Sequence, residues 1–123
     1  MKSDLQVGIY KKEHDQMLGT NFEGIPIVCS EGLKSHIIKR KHFDVVECFD
    51  CLGEILKNPD YIGCGENQAV IFVKKINKNV TTVIKLNKDN DYFYVATMYS
   101  ISDYKLERKL ICGLLKEVDN SGI

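Results

Sequence analysis

Apolar side chains change their spacing partway along the chain, and this change predicts the order of helices and strands. Between residues 45 and 56 they recur every three or four positions, which predicts an amphipathic helix after the cap residue Asp44. The sequence N-P-D at residues 58–60 predicts the end of this helix. An earlier helix is predicted from the cap residue Ser30 to about Arg40.

Beyond residue 60 the pattern is typical of strands. Segments rich in β-branched and aromatic residues are separated by the short turns N-K-N and N-K-D-N: AVIFVKKI (69–76), VTTVIKL (80–86) and DYFYVATMYS (91–100). Because such short turns join antiparallel neighbours, we expect hairpins, to which YIGCG (61–65) adds an edge strand. A final helix is predicted from Ser102 to about Glu117.

The hydrophobic pattern of the first 30 residues predicts secondary structure less clearly than that of the later segments. Residues 5–10 predict a short strand, and the polar residues 11–24 predict a loop. Pro26 is expected to keep the extended segment 25–30 off the centre of a sheet. The whole pattern predicts an α+β fold, with two N-terminal helices packed on an antiparallel sheet of three to four strands and a C-terminal helix.

Length and composition fit one globular domain. With 123 residues, 44% of them hydrophobic, we expect a single domain 1–123 with a core at about 30–116. No run of 18 apolar residues predicts a membrane span, and the apolar stretch near the N-terminus is too short for a secretory signal. The sequence therefore predicts a cytoplasmic protein without membrane contact.

Cysteine use supports a reducing compartment. The count of five is odd, and Cys48 and Cys51 form a C-x-x-C in a segment that reads as mid-helix. Because no Gly or Pro knuckle and no second ligand pair accompany it, we interpret these thiols as structural or incidental. A metal or redox role is the alternative.

Charge is segregated although the total is zero. The 17 basic residues balance the 17 acidic ones, which argues against a general polyanion binder. Residues 34–42 and 67–88 nevertheless contain basic residues and no acidic ones. In residues 43–66, by contrast, six acidic residues stand against one basic residue. A local basic surface attracts phosphate even on a neutral protein. The alternative is that each run is a solvated face.

The densest polar cluster combines two histidines with several cations. His36 and Arg40 share a helix face at a spacing of four, Lys39 is three residues from His36, and His42 falls where the helix must end. Two imidazoles are suited to metal-free RNA cleavage, because one removes the ribose 2′-hydroxyl proton and the other protonates the leaving 5′-oxygen. The alternative is solvated surface histidine.

Two further positions support a phosphate site. Strict alternation along 91–100 places Phe93, Val95, Thr97 and Tyr99 on one face, so Thr97 and Tyr99 are predicted to reach one groove. Lys74 and Lys75 point to opposite faces, so one of them lies nearer the helices. The alternatives are simple β-propensity and a snorkelling surface lysine, and no role is predicted for His14.

Four short motifs in order resemble a known group of proteins: HIIKRKH (36–42), EILKNPDYIG (54–63), AVIFVKK (69–75) and VATMYS (95–100). The chain resembles small phage-associated nucleases similar to barnase, EndoU, the tRNA-cleaving colicins and RelE. The resemblance covers residues 30–116 and leaves the first 25 outside it.

This resemblance implies a metal-independent ribonuclease, without cofactor, of a kind that often acts as a toxin domain. It makes His36 and His42 the acid and base and gives catalytic roles to Lys74 and Thr97. The motif cation between the histidines matches Arg40 or Lys39, with Lys41 as a competing candidate. Tyr99 joins the substrate-binding set because it shares the strand face of Thr97.

The function predicted is endonucleolytic transphosphorylation of RNA, which leaves a 2′,3′-cyclic phosphate and a 5′-hydroxyl. The expected partners are an RNA such as tRNA and an immunity or antitoxin protein. A non-catalytic RNA- or protein-binding module is the alternative. A metal-dependent enzyme that uses His36, His42 and nearby carboxylates is a third hypothesis.

Overall fold

The computed structural model describes residues 5–30, 32–33 and 51–118. These form seven strands and three short helices: β1 Leu5–Ile9, α1 Lys12–Leu18, β2 Pro26–Cys29, α2 Leu52–Lys57, β3 Tyr61–Cys64, β4 Ala69–Ile76, β5 Lys78–Leu86, β6 Phe93–Ile101, α3 Asp103–Ile111 and β7 Lys116–Glu117. Among the described residues no helix is long and apolar enough to cross a membrane.

The sheet is larger than predicted and mixed in direction. Its order is β1-β2-β6-β5-β4-β3-β7, with β2 parallel to β6 and the other neighbours antiparallel. The predicted α+β arrangement of two N-terminal helices on an antiparallel sheet of three to four strands is therefore wrong. The described residues form mostly sheet, and their helices are divided between its two faces.

The N-terminal part supplies two of the extra strands. β2 lies between β1 and β6, although Pro26 was expected to exclude it from such a position. Pro26 is the first residue of the strand and pairs with Ile9, the last residue of β1. The first position of a strand tolerates a missing N–H group, so the proline is compatible with a central strand.

Helix α1 occupies the segment that was predicted to be a loop. Its buried side chains are the polar His14 and Asp15, so the apolar spacing that signals a helix is weak. The helix ends at Leu18, and the cap residue Gly19 that follows has the positive φ of 70° typical of a helix terminus.

The predicted helix from Ser30 to about Arg40 falls largely outside the described residues, as does the start of the second predicted helix at Asp44. Of the second predicted helix, the described residues contain α2, which begins at Leu52 and finishes at Lys57 before Asn58. The stop predicted from N-P-D is therefore confirmed.

The hairpin meander is confirmed by the register. β3, β4, β5 and β6 pair in sequence order, and Asn77 turns β4 into β5 with a positive φ of 64°. Between β5 and β6, the Asn87 side chain accepts hydrogen bonds from the backbone N–H groups of Asp91 and Tyr92, at 2.7 and 3.0 Å. Asparagine stabilises both turns for these reasons.

The C-terminal helix is shorter than predicted. α3 ends at Ile111, and Gly113 then adopts a φ of 78° that reverses the chain. The residues after this turn add β7 beside β3 instead of further helix.

The two faces of the sheet have separate cores. The α2 face carries Phe72 and Met98, which pack in the main core with Ile55 of α2 and with the aromatic ring of Tyr10. The α3 face carries Val73, which packs with Leu106 of α3 and Leu115 of the following turn. Successive residues of β4 therefore alternate between the two faces.

Candidate functional site

Five of the eight residues predicted for the site lie outside the described residues. They are the two histidines and three cations of the basic cluster: His36, Lys39, Arg40, Lys41 and His42. The structure describes the other three, Lys74, Thr97 and Tyr99.

Thr97 and Tyr99 lie on the α3 face. Thr97 pairs with Val83 and Tyr99 with Thr81 on the neighbouring strand β5. The shared face of these two side chains is therefore as predicted. Both are partly exposed.

Strand β6 departs from strict alternation of its side chains between Val95 and Thr97. The register of β6 shifts between Thr97 and Val95, because Val83 pairs with Thr97 and Ile84 with Val95. This β-bulge turns Phe93 and Val95 to the opposite face, where both are buried in the main core. The prediction that Phe93 and Val95 share a face with Thr97 is wrong for this reason.

Lys74 lies on the α2 face, opposite Thr97. It pairs with Val80, a residue of the main core. Its Nζ donates a hydrogen bond to the backbone oxygen of Asn58 at 2.8 Å and lies 4.0 Å from Glu54 Oε2. The sheet thus separates the Lys74 ammonium group from the Thr97 hydroxyl, and the structure does not bring these two candidates together.

Hydrogen bonds of Asn58 and Asp60 explain the N-P-D sequence that precedes β3. Asn58 follows α2 and donates its backbone N–H to Glu54 at 2.8 Å, as expected at a helix end. The Asp60 carboxylate accepts the backbone N–H of Lys75 at 2.8 Å, and the Asp60 N–H donates to Val73 at 2.8 Å. These bonds attach the end of α2 to β4, so the motif has a structural role.

A groove of about 450 Å³ opens on the α3 face, and we call it the α3 groove. Residues of four neighbouring strands, of the turn between β3 and β4, of α3 and of the turn after it line this space: Cys64, Gly65, Glu66, Ile71, Val73, Thr81, Tyr99, Ile101, Lys109, Leu114 and Leu115. Its volume is in the range of small-molecule sites, and its lining is mainly apolar.

The charged side chains of Glu66 and Lys109 and two hydroxyl groups interrupt this apolar lining. The Thr81 side chain is 2% exposed, and its Oγ1 has no hydrogen-bond partner among the described residues. Tyr99 is the cross-strand neighbour of Thr81, and burial raises the pKa of its phenol above 10.0. The Tyr99 hydroxyl therefore stays protonated at neutral pH and can donate a hydrogen bond.

α3 is attached firmly above the groove. The Asn79 amide donates to the backbone oxygen of Ile101 at 3.0 Å and to the Asp103 carboxylate at 2.9 Å. Ser102 caps the helix by accepting the backbone N–H of Lys105. This keeps Lys109, in the last turn of α3, beside the groove.

The turn after α3 closes one end of the groove through a close backbone approach. A Cβ atom at Gly63 would collide with the backbone oxygen of Leu114 and press on the Leu115 side chain. Only glycine allows β3 and this turn to approach so closely.

Sequence reasoning did not identify Thr81. Its signal is its place in V-T-T-V-I-K-L, where alternation puts one threonine on each face of a buried strand. Which threonine meets a groove depends on the position of α3, and the sequence does not specify that.

The cysteines and acidic residues add no further cluster in the described part of the chain. Cys51, Cys64 and Cys112 are free thiols there, while Cys48 of the C-x-x-C lies outside it. No three His, Cys, Asp or Glu side chains within the described ranges converge as metal ligands do.

Comparison with known proteins identifies a family that the chain resembles. The model of the family described as phage-Barnase-EndoU-ColicinE5/D-RelE like nuclease3 matches residues 5–108. This range begins earlier than the resemblance in the sequence motifs, because it takes in β1, α1 and β2. No curated protein and no solved structure matches the chain significantly.

Proposed function

The chain belongs to the phage-Barnase-EndoU-ColicinE5/D-RelE like nuclease3 family, and we propose that it is a metal-independent endoribonuclease. The observation that carries this proposal is the extent of the family match. Residues 5–108 include every candidate catalytic and substrate-binding position, from His36 to Tyr99. The family name implies nuclease activity. We propose RNA as the substrate because two histidines with nearby cations are suited to metal-free cleavage beside a ribose 2′-hydroxyl.

The chemistry follows from two imidazoles. In this proposal one of His36 and His42 removes the proton of the ribose 2′-hydroxyl, whose oxygen attacks the adjacent phosphorus. The other protonates the departing 5′-oxygen as the P–O bond breaks. The products are a 2′,3′-cyclic phosphate and a 5′-hydroxyl, and no water or metal ion is consumed in this step.

Cations and hydroxyl groups then stabilise the phosphorane. Lys39, Arg40 and Lys41 offset its negative charge, and the Thr97 hydroxyl donates a hydrogen bond to a phosphoryl oxygen. We place the RNA on the α3 face because Thr97 and Tyr99 both lie there. The Lys74 ammonium group is engaged at the end of α2, and its catalytic role stays a prediction.

The test is cleavage of RNA in the presence of chelator. Purified protein is incubated with total RNA in excess EDTA, and the new termini are mapped. We expect 2′,3′-cyclic phosphate and 5′-hydroxyl ends, and a loss of at least about 100-fold in rate for each of His36→Ala and His42→Ala.

Lys88→Ala, in the exposed turn between β5 and β6, is the control for loss of a basic side chain. Thermal melting of each variant separates loss of chemistry from loss of fold. Full cleavage by both single histidine variants would reject the acid–base assignment, and cleavage that requires a divalent metal would reject the metal-free mechanism.

A non-catalytic RNA- or protein-binding module is a second candidate function. The observation that favours it is the separation of Lys74 from Thr97 by the sheet, since the described catalytic candidates do not form one cluster. Stable RNA binding without any new termini would select this function.

The proposed activity also suggests partners and a location. An RNase made in its own cytoplasm damages the RNA of its host, so we propose an immunity or antitoxin protein that restrains it. The RNA substrate, with tRNA as one candidate class, is to be identified from the mapped termini.

A further inference from the structure

The α3 groove contains a buried hydroxyl group that has no hydrogen-bond partner in the described part of the chain. Thr81 Oγ1 is buried between Val73 and Tyr99, its neighbours on the adjacent strands, and no described residue hydrogen-bonds to it. Buried hydroxyl groups are normally paired, because an unpaired one loses its hydration without compensation. An unpaired hydroxyl in the lining of a groove suggests that a ligand supplies the partner.

The other side chains of the groove restrict the shape and chemistry of this ligand. Ile71, Val73 and Leu115 form apolar walls, and Tyr99 adds an aromatic ring. A flat heterocycle has apolar faces and a polar edge, so it can contact these walls and still pair with Thr81. An aliphatic side chain of a protein partner would leave the Thr81 hydroxyl unpaired.

We propose that the α3 groove binds one nucleobase of the RNA, with the Thr81 hydroxyl hydrogen-bonded to the base edge and the Tyr99 ring against the base. The identification of the ligand as RNA rests on the proposed function. Aromatic side chains and short polar side chains are the usual means by which proteins hold an unstacked RNA base.

The position of the groove relative to Thr97 fits this assignment. Thr97 and Tyr99 are two residues apart on one strand face, which is a separation of about 6.6 Å at ~3.3 Å per residue. A phosphate at Thr97 would thus lie next to a base at Tyr99 and Thr81. Lys109, beside the groove, supplies a positive charge for a neighbouring phosphate.

The sheet offers a matched pair of variants. Thr82 is 0% exposed, and its hydroxyl also lacks a partner among the described residues, but it pairs with Phe72 and Met98 and lies on the α2 face. Thr81→Val and Thr82→Val therefore make the same chemical change at adjacent buried positions. Only Thr81→Val changes the α3 groove.

The experiment measures binding of the four ribonucleoside 3′-monophosphates in EDTA by titration calorimetry. We expect at least one of them to bind the wild-type protein, Thr81→Val to weaken that binding about tenfold, and Thr82→Val to leave it unchanged. Because neither the Thr81 nor the Thr82 hydroxyl has a partner within the described ranges, neither variant is expected to lower the melting temperature.

These outcomes are independent of cleavage, because the probes contain no phosphodiester bond. If no nucleotide binds, or if the two variants bind like wild type, the base site is overturned even in a protein that cleaves RNA. If Thr81→Val alone weakens binding in a protein that leaves RNA intact, the base site stands and the proposed cleavage function fails.

Discussion

At the scale of single residues, Asp15 orders the chain between α1 and β2. One carboxylate oxygen accepts hydrogen bonds from Thr20 Oγ1 and from the Phe22 N–H, at 2.6 and 2.8 Å, and the other accepts the Glu23 N–H at 2.7 Å. Thr20 in turn lies 3.2 Å from the Tyr10 hydroxyl. A segment that reads as a loop in sequence is held by one buried carboxylate.

Asp15→Ala should therefore destabilise the protein strongly. The variant leaves three donors without their charged acceptor, so we expect the free energy of unfolding to fall by about 3 kcal/mol. Denaturant unfolding measures this change. Asp89→Ala, in an exposed turn, is the control and should stay within about 0.5 kcal/mol of wild type. Equal stability of the two variants would contradict this role of Asp15.

His14 is a second residue whose role appears only in the folded protein. Its side chain is 2% exposed and packs edge-on against Tyr10 and Phe72, with ring centroids 6.1 and 5.5 Å away. Its Nδ1 atom has no partner among the described residues. Burial lowers the pKa of His14 below 6.5, and the nearby Lys11 acts in the same direction, against smaller opposing effects of Glu13 and Asp15.

This shift makes stability depend on pH in a defined direction. Because the folded-state pKa is below the unfolded value, the unfolded chain takes up more protons as the pH falls below about 6.5, and the free energy of unfolding decreases. We expect wild type to lose more stability between pH 7.5 and pH 5.5 than His14→Leu does. The comparison removes the shared contribution of the other histidines. Parallel pH profiles for the two proteins would exclude His14 as the cause.

At the scale of elements, Lys74 connects α2 to the sheet. Its ammonium group lies at the C-terminal end of the helix, where backbone oxygens lack helical partners and the helix dipole is negative. Replacement by methionine keeps the apolar stem and removes this charge. We expect Lys74→Met to lower the free energy of unfolding by about 1 kcal/mol, and the rate of RNA cleavage per folded molecule of this variant tests the catalytic role predicted for Lys74.

The neighbouring lysine provides the control for this stability measurement. Lys75 is exposed and lies on the opposite face of the same strand, so Lys75→Met should have little effect on unfolding. If Lys74→Met abolishes cleavage while the protein remains folded, the catalytic role predicted for Lys74 is supported, and the RNA has to contact the α2 face. Unchanged cleavage would reject that role.

The elements that the sequence predicts well are those determined by neighbouring residues. The stop at N-P-D and the turns at Asn77 and Asn87 depend on local backbone chemistry, and the structure confirms them. The place of β2 beside β6 depends on contacts distant in sequence, which periodicity does not encode. The bulge in β6 has the same origin, and it changed which side chains share a face with Thr97.

The same distinction applies to the candidate site. The sequence is sufficient to pair Thr97 with Tyr99, because two residues on a strand share a face unless a bulge intervenes. It does not reveal that Lys74 and Thr97 lie on opposite faces, since this depends on the register of β4, β5 and β6 together. The unpaired hydroxyl of Thr81 becomes informative only once α3 covers that face.

At the scale of the whole molecule, the charge distribution should control how RNA binds. The net charge is zero, so RNA affinity would depend only weakly on salt concentration if acidic and basic residues were evenly distributed over the surface. Basic side chains are instead concentrated, because Lys34 and the predicted substrate-binding residues Lys39, Arg40 and Lys41 lie inside one run of nine residues. If these four cations neutralise four phosphates, log K should fall with log salt at a slope of about −3 for single-stranded RNA.

The measurement uses the His36→Ala variant, so that the RNA remains intact during titration over a range of salt concentrations. Replacing both Arg40 and Lys41 with alanine should reduce the slope by about half, because two of the four cations are removed. Lys85→Ala and Lys88→Ala together remove two charges from the second basic run, at 67–88, and leave the slope unchanged if only the first run contacts phosphate. A slope near zero, or an equal reduction in both double variants, would show that RNA binding does not depend on the charge concentrated at residues 34–42.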